Sequence, residues 1–228
     1  MRILLATPTR DRPGLFKKMV KSARLTANQS DQLSIVARVD HDDPSRRDYI
    51  THSAAYTLLQ GKRVRLPVAW NEIAERSRYD ILMMCADDLR FRTIGWDDDV
   101  REVFEQWPDR IGLVYADDGL HDGKLATNPF VSREWIKTVG YYLPSILHGD
   151  FVDNWLHFLA AEIGRVVYLP RVYIEHMHPF AGKAPMDDTY NYRLSGSGPT
   201  KAQAAWNEVM ASGAIQEALA KLKGAIGG

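Results

Sequence analysis

The sequence predicts an α/β fold in which a largely parallel central sheet is flanked by helices. Short apolar runs alternate with amphipathic segments along the 228 residues, which is the pattern of repeated strand-helix units. The apolar and charged fractions are those of an ordinary globular chain, and this length is enough to bury one sizeable core.

Runs of apolar residues bounded by turn-forming or charged residues predict the strands. These strands fall at residues 3–6, 33–39, 63–66, 81–85, 111–115 and 166–169. Apolar and polar side chains alternate over residues 171–179, which predicts a further strand with His176 and His178 on one face.

Helices are predicted where apolar residues recur at helical spacing or where capping residues mark an end. They fall at residues 13–26, 68–76, 96–107, 150–161 and from 200 toward 222. Two segments rich in Gly, Asp, Ser and Pro, residues 117–128 and 179–199, are predicted as long loops. Long loops in a compact domain often cover or line a binding site.

Charge and cysteine content narrow the function classes. Lysine plus arginine equals aspartate plus glutamate at 29 each, so neither a generic nucleic-acid coat nor a binder of acidic substrates is indicated. Cys85 lies in an apolar strand, which is typical of a buried thiol in a reducing compartment. With no secretory pattern or membrane-length apolar run, we expect a cytoplasmic protein that does not enter a membrane.

Polar clusters follow several predicted strands at the points where the strands end. These clusters are residues 7–12, 40–43, 87–88 and 117–118. In open α/β sheets, ligands bind beyond the carboxyl ends of the strands, so the four clusters predict a binding site at one edge of the sheet. Neither a dinucleotide-binding glycine motif nor a P-loop is present. Phosphates would therefore need a metal ion and one or two arginines.

Asp87 and Asp88 are the most informative of these residues. Hard cations such as Mg²⁺ and Mn²⁺ take oxygen ligands and commonly share one or two carboxylates with substrate phosphates. The pair therefore predicts a nucleotide-diphosphate site. The competing interpretation is that the two acids only cap the turn that follows the strand.

Four motifs together resemble a known family. They are Thr7-Pro8-Thr9-Arg10-Asp11-Arg12-Pro13, Val39-Asp40-His41-Asp42-Asp43, Ala86-Asp87-Asp88 and His148-Gly149-Asp150-Phe151-Val152-Asp153-Asn154-Trp155. In this order the sequence resembles the GT-A fold, family 2-like glycosyltransferases of bacterial or phage type. The resemblance implies a Rossmann-like catalytic domain over residues 1–190, with a C-terminal helical appendage over residues 191–228 packed on it.

The resemblance also implies a nucleotide-diphosphate sugar donor, UDP-linked in the favoured interpretation, and Mn²⁺ or Mg²⁺ as cofactor. Asp40 is similar to the acid that recognises the nucleobase, Asp87 to the acid near the ribose, and Asp88 to the metal ligand of the family's D-x-D element. Ala86 departs from that element because many members carry an acid there. The complete donor-binding set is Thr7, Pro8, Thr9, Arg12, Asp40, Asn71 and Asp87.

Inverting transfer needs a base for the acceptor hydroxyl while the metal neutralises the leaving diphosphate. Asp153 matches the second acid of the family's E-D element, although Val152 replaces the first, and Asp150 is the alternative base. Either acid could instead serve the start of a helix. A late histidine often completes the metal shell in the family, and His176 is preferred over His178.

The acceptor site is the least determined part. Tyr141, Tyr142 and Trp155 surround the candidate base in sequence and are predicted to stack on the acceptor, unless they belong to the core. The acceptor is open, and one class is a hydroxymethylated base in DNA, which would have to be flipped out. Oligomeric state is undetermined.

Two other functions remain open at this stage. A nucleotidyltransferase should carry a glycine-rich, lysine-bearing first loop, which residues 7–13 do not provide. A non-catalytic nucleotide-sugar binding module is the other alternative, because Ala86 departs from the metal motif.

Overall fold

The structure is a computed structural model that describes residues 1–50, 55–188, 190–191 and 198–226, and all structural statements concern these residues. Residue 189 and residues 192–197 of the loop predicted at 179–199 lie outside this set, as do residues 227–228 of the predicted appendage.

The described residues form a mixed eight-stranded sheet in the order β3-β2-β1-β4-β7-β6-β8-β5. The strands are β1 (Ile3–Pro8), β2 (Leu33–Asp40), β3 (Thr57–Gly61), β4 (Ile81–Met84), β5 (Leu89–Phe91), β6 (Leu113–Asp117), β7 (Phe130–Ser132) and β8 (Val166–His176). Strands β3, β2, β1 and β4 are mutually parallel, as are β6 and β8. Strand β7 is antiparallel to β4 and β6, and β5 is antiparallel to β8. The predicted α/β class is confirmed.

Helices cover both faces of the sheet. They are α1 (Pro13–Thr26), α2 (Arg46–Ile50), α3 (Leu66–Arg76), α4 (Trp96–Glu105), α5 (Arg133–Val139), α6 (Val152–Glu162), α7 (Gly198–Ala211) and α8 (Ala214–Ala225). Short 3₁₀ turns occupy Ser30–Gln32 and Pro179–Ala181. None of the helices described here is both long and apolar enough to cross a bilayer.

Two apolar clusters lie on opposite faces of the sheet, because successive strand side chains point to opposite sides. Leu4 and Leu82 belong to the cluster that α3, α5, α6 and α8 complete. Ile3 and Met83 belong to the cluster that α1 and α4 complete. This two-sided burial explains why β1 and β4 are continuous apolar runs rather than alternating ones.

Several predicted elements are wrong in detail. The strand predicted at residues 63–66 is instead Thr57–Gly61, which pairs with β2, while Leu66 begins α3. The single C-terminal helix is two helices, because Gly213 adopts a left-handed backbone with φ of 77°. Strands β5 and β7 were not predicted, since each has only three residues.

The C-terminal helix α8 contributes side chains to the apolar cluster that contains Leu4 and Leu82. Ile215 and Leu222 of α8 are buried in the same cluster as Trp135 of α5 and Trp155 of α6. Helix α8 therefore packs directly on the helices that cover one face of the sheet.

The topology brings distant residues together at one edge of the sheet. Strands β1, β2, β4, β6 and β8 all run toward this edge, which we call the carboxyl edge. At the end of β8, the backbone N–H of His176 donates to the Asp118 carbonyl and that of Met177 donates to the Asp88 carbonyl, both at 3.0 Å. The end of β8 therefore lies between Asp88 and Asp118.

Candidate active site

The centre of the carboxyl edge is a buried acid pair bound by one arginine. Asp87 and Asp88 follow β4 and are only 7% and 3% exposed. Arg12, at the start of α1, places Nη1 3.2 Å from Asp87 Oδ1 and 3.6 Å from Asp88 Oδ2. Thr9 Oγ1 donates to Asp87 Oδ2 at 2.7 Å. Both carboxylates are therefore largely shielded from solvent.

The turn between β1 and α1 is held in place by Tyr49 of α2. The Tyr49 hydroxyl accepts from the Arg12 backbone N–H at 2.9 Å and lies 3.0 Å from Thr9 Oγ1. Burial raises the pKa of Tyr49, so the hydroxyl stays protonated. Thr7 is fully buried, and Pro8 ends β1 just before this turn. Among the residues predicted to bind the donor, Thr9 and Arg12 each contact Asp87 directly.

The two acids differ in their electrostatic surroundings. Burial and the adjacent charge of Asp88 raise the pKa of Asp87 to about 6, although Arg12 opposes the shift. Burial also disfavours ionised Asp88, but the contacts with His176, Arg12 and the Tyr190 hydroxyl outweigh it and lower its pKa. Asp88 is therefore the more acidic of the two carboxylates.

Asp88 and His176 fit a divalent cation. Asp88 Oδ1 is buried without a hydrogen-bond partner among the described residues, and His176 Nε2 lies 3.3 Å from it. Two ligands in adjacent octahedral positions at about 2.1 Å from a cation are about 3 Å apart. The separation of these two atoms is close to that value.

The described residues alone do not provide a complete metal shell. In the parts of the chain described here, no group of three or more Asp, Glu, His or Cys side chains is arranged to hold a metal ion. Mg²⁺ commonly takes one or two carboxylates and completes its shell with substrate phosphates and water. The arrangement of Asp88 and His176 is consistent with a cation that is shared with a phosphorylated ligand.

The ring of His178 packs against the ring of His176. The two imidazole ring centroids are 5.1 Å apart, and the His178 ring is 4.9 Å from that of Tyr190. His178 Nδ1 accepts from the Phe180 backbone N–H at 3.3 Å, which begins the turn at Pro179–Ala181. His176 is thus the histidine whose ring faces Asp88.

Asp40 lies at the end of β2 and is bound by two arginines. One carboxylate oxygen forms an ion pair with Arg38, and the other lies 3.2 Å from Arg10 Nη1. Arg38 is almost completely buried and also pairs with Glu72 of α3 at 2.9 Å. Arg38 was not identified from the sequence, although a charged residue two positions before Asp40 in an apolar strand was the available signal. A side chain at Gly61 would collide with it, since an added Cβ would lie 2.6 Å from Arg38 Nη2.

Asn71 has a different role from the one predicted. Its Nδ2 donates to the Leu143 carbonyl at 2.8 Å. Its Oδ1 accepts from the backbone N–H groups of Leu143 and Tyr142 at 2.9 and 3.2 Å. The amide therefore ties α3 to residues 142–143, and the prediction that Asn71 binds the donor is corrected to a structural role.

Asp150 and Asp153 flank the start of α6. Asp153 lies in its first turn, where Oδ1 accepts from the Asn154 backbone N–H at 2.9 Å. Gly149 packs against Leu66 at the start of α3, which places this segment at the carboxyl edge. Among the described residues, no hydrogen bond or ion pair joins either acid to Asp87 or Asp88. Their assignment as base stays a prediction.

Two of the three predicted acceptor residues are core residues. Tyr142 and Trp155 are each 1% exposed, so neither presents a ring face to a ligand. Tyr141 is half-buried and packs on Trp155 with ring centroids 6.4 Å apart. Tyr141 and Tyr79 both line a cavity of about 270 Å³. Tyr79 precedes β4, so it lies at the edge of the sheet opposite to the carboxyl edge where Asp87 lies. The predicted acceptor platform is wrong for Tyr142 and Trp155 because they fill the core under α5 and α6.

Two contacts of the site come from residues that the sequence did not single out. Asp187 Oδ1 lies 2.7 Å from Arg12 Nη2, and the Tyr190 hydroxyl donates to Asp88 Oδ2 at 2.9 Å. Both residues lie in the segment predicted as a long loop, and its composition was the only signal.

A second polar cluster orders residues 118–127 beside the site. The buried Asp118 carboxylate binds His121 Nδ1 at 2.7 Å and accepts from Thr127 Oγ1 at 2.8 Å. Although burial disfavours the ionised form, these hydrogen bonds lower the pKa of Asp118. The cluster fixes the loop that follows β6.

Comparison with known structures identifies the fold. The mannosyltransferase PcManGT from Pyrobaculum calidifontis, in complex with GDP-Man and Mn²⁺, matches 98% of this chain and 73% of its own, with a TM-score of 0.63 and 15% identity. S. aureus TarS 1–349 matches 100% of this chain and 81% of its own, with a TM-score of 0.63 and 9% identity. The chain has the GT-A glycosyltransferase fold.

A further structure of the second protein, TarS 1–349 in complex with UDP-GlcNAc, matches 99% of this chain and 82% of its own at a TM-score of 0.61 and 10% identity. No protein-family profile and no curated protein sequence matches the chain. At these identities the likeness concerns the fold, and the chemistry has to be argued from the site.

Proposed function

We propose that this protein is a metal-dependent glycosyltransferase that moves a sugar from a nucleotide-diphosphate sugar to an acceptor hydroxyl. The observation that carries the proposal is the buried carboxylate of Asp88, whose Oδ1 lies 3.3 Å from His176 Nε2 beside the guanidinium of Arg12. The group lies at the carboxyl ends of the strands, where open α/β sheets generally bind their ligands, and this position supports the proposal.

Each residue of the site has a role in this proposal. Asp88 and His176 would hold Mn²⁺ or Mg²⁺, and the bound cation would neutralise charge on the leaving diphosphate. Arg12 supplies a second positive charge toward the phosphates. Thr9 and Asp87 lie beside it on the ribose side, and Asp87 accepts a hydrogen bond from the Thr9 hydroxyl.

Asp40 is proposed to recognise the nucleobase from the end of β2. Its carboxylate is 13% exposed and is oriented by Arg10 and Arg38. The two structural neighbours were solved with a guanosine and a uridine diphosphate sugar, respectively. We favour a uridine diphosphate sugar, in keeping with the resemblance of the motifs.

Transfer with inversion requires a proton acceptor for the incoming hydroxyl, and Asp153 is proposed for this step with Asp150 as the alternative. Both acids lie at the carboxyl edge, where α6 begins. We propose two classes of acceptor: soluble compounds that carry a hydroxyl group, and DNA that carries hydroxymethylated bases.

The test measures donor binding with and without metal. Melting temperatures of the parent protein are recorded with a panel of UDP- and GDP-sugars, in Mn²⁺ and in chelator, because a ligand that prefers the folded state raises its stability. We expect stabilisation by one nucleotide-sugar class only when Mn²⁺ is present.

Asp88→Asn keeps the size of the side chain and removes the charge. It should abolish the Mn²⁺-dependent part of the stabilisation, whereas Asp99→Ala, an exposed acid on α4, should leave it intact. Equal stabilisation of the parent in Mn²⁺ and in chelator would contradict a metal-dependent function.

A further inference from the structure

The two oxygens of the Asp88 carboxylate have different surroundings. Oδ2 accepts a hydrogen bond from the Tyr190 hydroxyl at 2.9 Å and lies 3.6 Å from Arg12 Nη1. Oδ1 has no hydrogen-bond partner among the described residues and faces His176 Nε2. One oxygen is therefore anchored, and the other is presented to the position that a cation would take.

Tyr190 is itself fixed by several contacts. Its backbone N–H donates to Asp187 Oδ1 at 3.0 Å, and the same oxygen lies 2.7 Å from Arg12 Nη2. Its ring lies 4.8 Å from the Arg12 guanidinium carbon and packs edge-on against the His178 ring. Only 7% of the residue is exposed. The hydroxyl is thus held toward Asp88 from three sides.

We propose that Tyr190 is a positioning residue that orients the Asp88 carboxylate for the divalent cation, an inference that rests on the proposed metal-dependent function. A carboxylate can rotate about its bond to Cβ, and rotation would turn the free oxygen away from His176. The hydrogen bond to Oδ2 opposes this rotation. Groups that hydrogen-bond to metal ligands set ligand orientation, and their loss commonly weakens metal affinity by about 10- to 100-fold.

Asp187 extends the same arrangement to Arg12. Its carboxylate connects the backbone of Tyr190 with the arginine that contacts both Asp87 and Asp88. The cation site and the arginine assigned to the donor phosphates are therefore tied to one short segment. A competing role for Tyr190, in which its hydroxyl occupies the place of the cation, predicts the opposite effect of removing that hydroxyl.

The experiment measures Mn²⁺ binding in the presence of UDP and in its absence, because phosphates and water complete a shell that has only two protein ligands. MnCl₂ is titrated into the parent protein, Tyr190→Phe and Tyr168→Phe, and free Mn²⁺ is followed by electron paramagnetic resonance. Tyr190→Phe keeps the ring contacts with Arg12 and His178 and removes only the hydroxyl. Tyr168→Phe is the matched control, because Tyr168 lies on the same strand as His176 and packs on Tyr115 away from Asp88.

We expect Tyr190→Phe to weaken Mn²⁺ binding by about 10- to 100-fold, with Tyr168→Phe unchanged. Unchanged or tighter binding by Tyr190→Phe, whether or not its melting temperature falls, would overturn the inference and leave the proposed function intact. Failure of the parent to bind Mn²⁺ under either condition would overturn both.

Asp187→Ala provides a second variant in case Tyr190→Phe does not fold. It leaves Tyr190 in the chain and removes the oxygen that connects the Tyr190 backbone N–H with Arg12. Weaker Mn²⁺ binding is expected here as well, and an affinity equal to that of the parent would overturn the inference.

Discussion

Replacing Asn71 by alanine should destabilise the protein without altering its affinity for a nucleotide. The Asn71 amide makes three hydrogen bonds to the backbone of residues 142–143, at 2.8, 2.9 and 3.2 Å. The alanine variant leaves these backbone groups without that partner. Because residues 140–151 lead from α5 to α6, the loss should be felt in the packing of the helices on this face.

The magnitude follows from the number of bonds. A typical hydrogen bond contributes about 1 kcal/mol net, so three bonds give about 3 kcal/mol, reduced to about 2 kcal/mol where water replaces a partner. For a domain of this size, each 1 kcal/mol lowers the melting temperature by about 2–4 °C. We therefore expect a drop of roughly 4–12 °C.

Urea unfolding of parent and Asn71→Ala gives the free-energy difference, and calorimetric titration with UDP and Mn²⁺ gives the affinity of the folded protein. Asn207→Ala is the matched control, because Asn207 is exposed on α7 and its side chain accepts a hydrogen bond from the nearby exposed Gln203. Its effect should stay within about 0.5 kcal/mol. A normal stability with weakened UDP binding in Asn71→Ala would refute the structural role and restore the donor-binding prediction.

Two predictions concern the candidate active site directly. Asp40→Ala should weaken free UDP as much as a UDP-sugar, by about 1–3 kcal/mol, because the end of β2 is assigned to the base; titrations in which only the sugar-bearing ligand loses affinity would contradict this. Asp153→Asn should lower sugar transfer or donor hydrolysis by about 10²- to 10⁴-fold while donor and Mn²⁺ binding survive, as measured by release of the nucleotide. If it only lowers the melting temperature, Asp153 stabilises the helix start and Asp150→Asn becomes the variant to assay.

The strand ends were predictable because they depend on local pattern. Continuous apolar runs indicated β1, β2 and β4. The polar and acidic residues that follow these strands indicated a ligand-binding edge of the sheet. The general class of the fold followed from the same alternation of runs and helices. Asp87, Thr9 and Arg12 could be grouped from the sequence because they follow neighbouring parallel strands.

The burial of the predicted residues could not be predicted, because it depends on how distant segments pack. Tyr142 and Trp155 carry rings that suit either a ligand or a core, and only the covering by α5, α6 and α8 decides for the core. Asn71 is polar on a helix, and its partners lie about seventy positions away. Tyr190 lies in a segment without periodicity, so no local pattern connects it with Asp88.

The pairing of strand β8 with its neighbouring strands limits where residues can be inserted or deleted in this chain. Val166–Leu169 pair with β6, the register shifts before Tyr173 pairs with Asp117, and the last residues pair with β5, so that His176 is opposite Leu89. A shift by one residue along a strand turns every following side chain to the other face of the sheet. Gain or loss of a single residue between Tyr173 and His176, beyond the register shift, would thus turn the imidazole away from Asp88. Related chains should therefore keep the spacing between Tyr173 and His176.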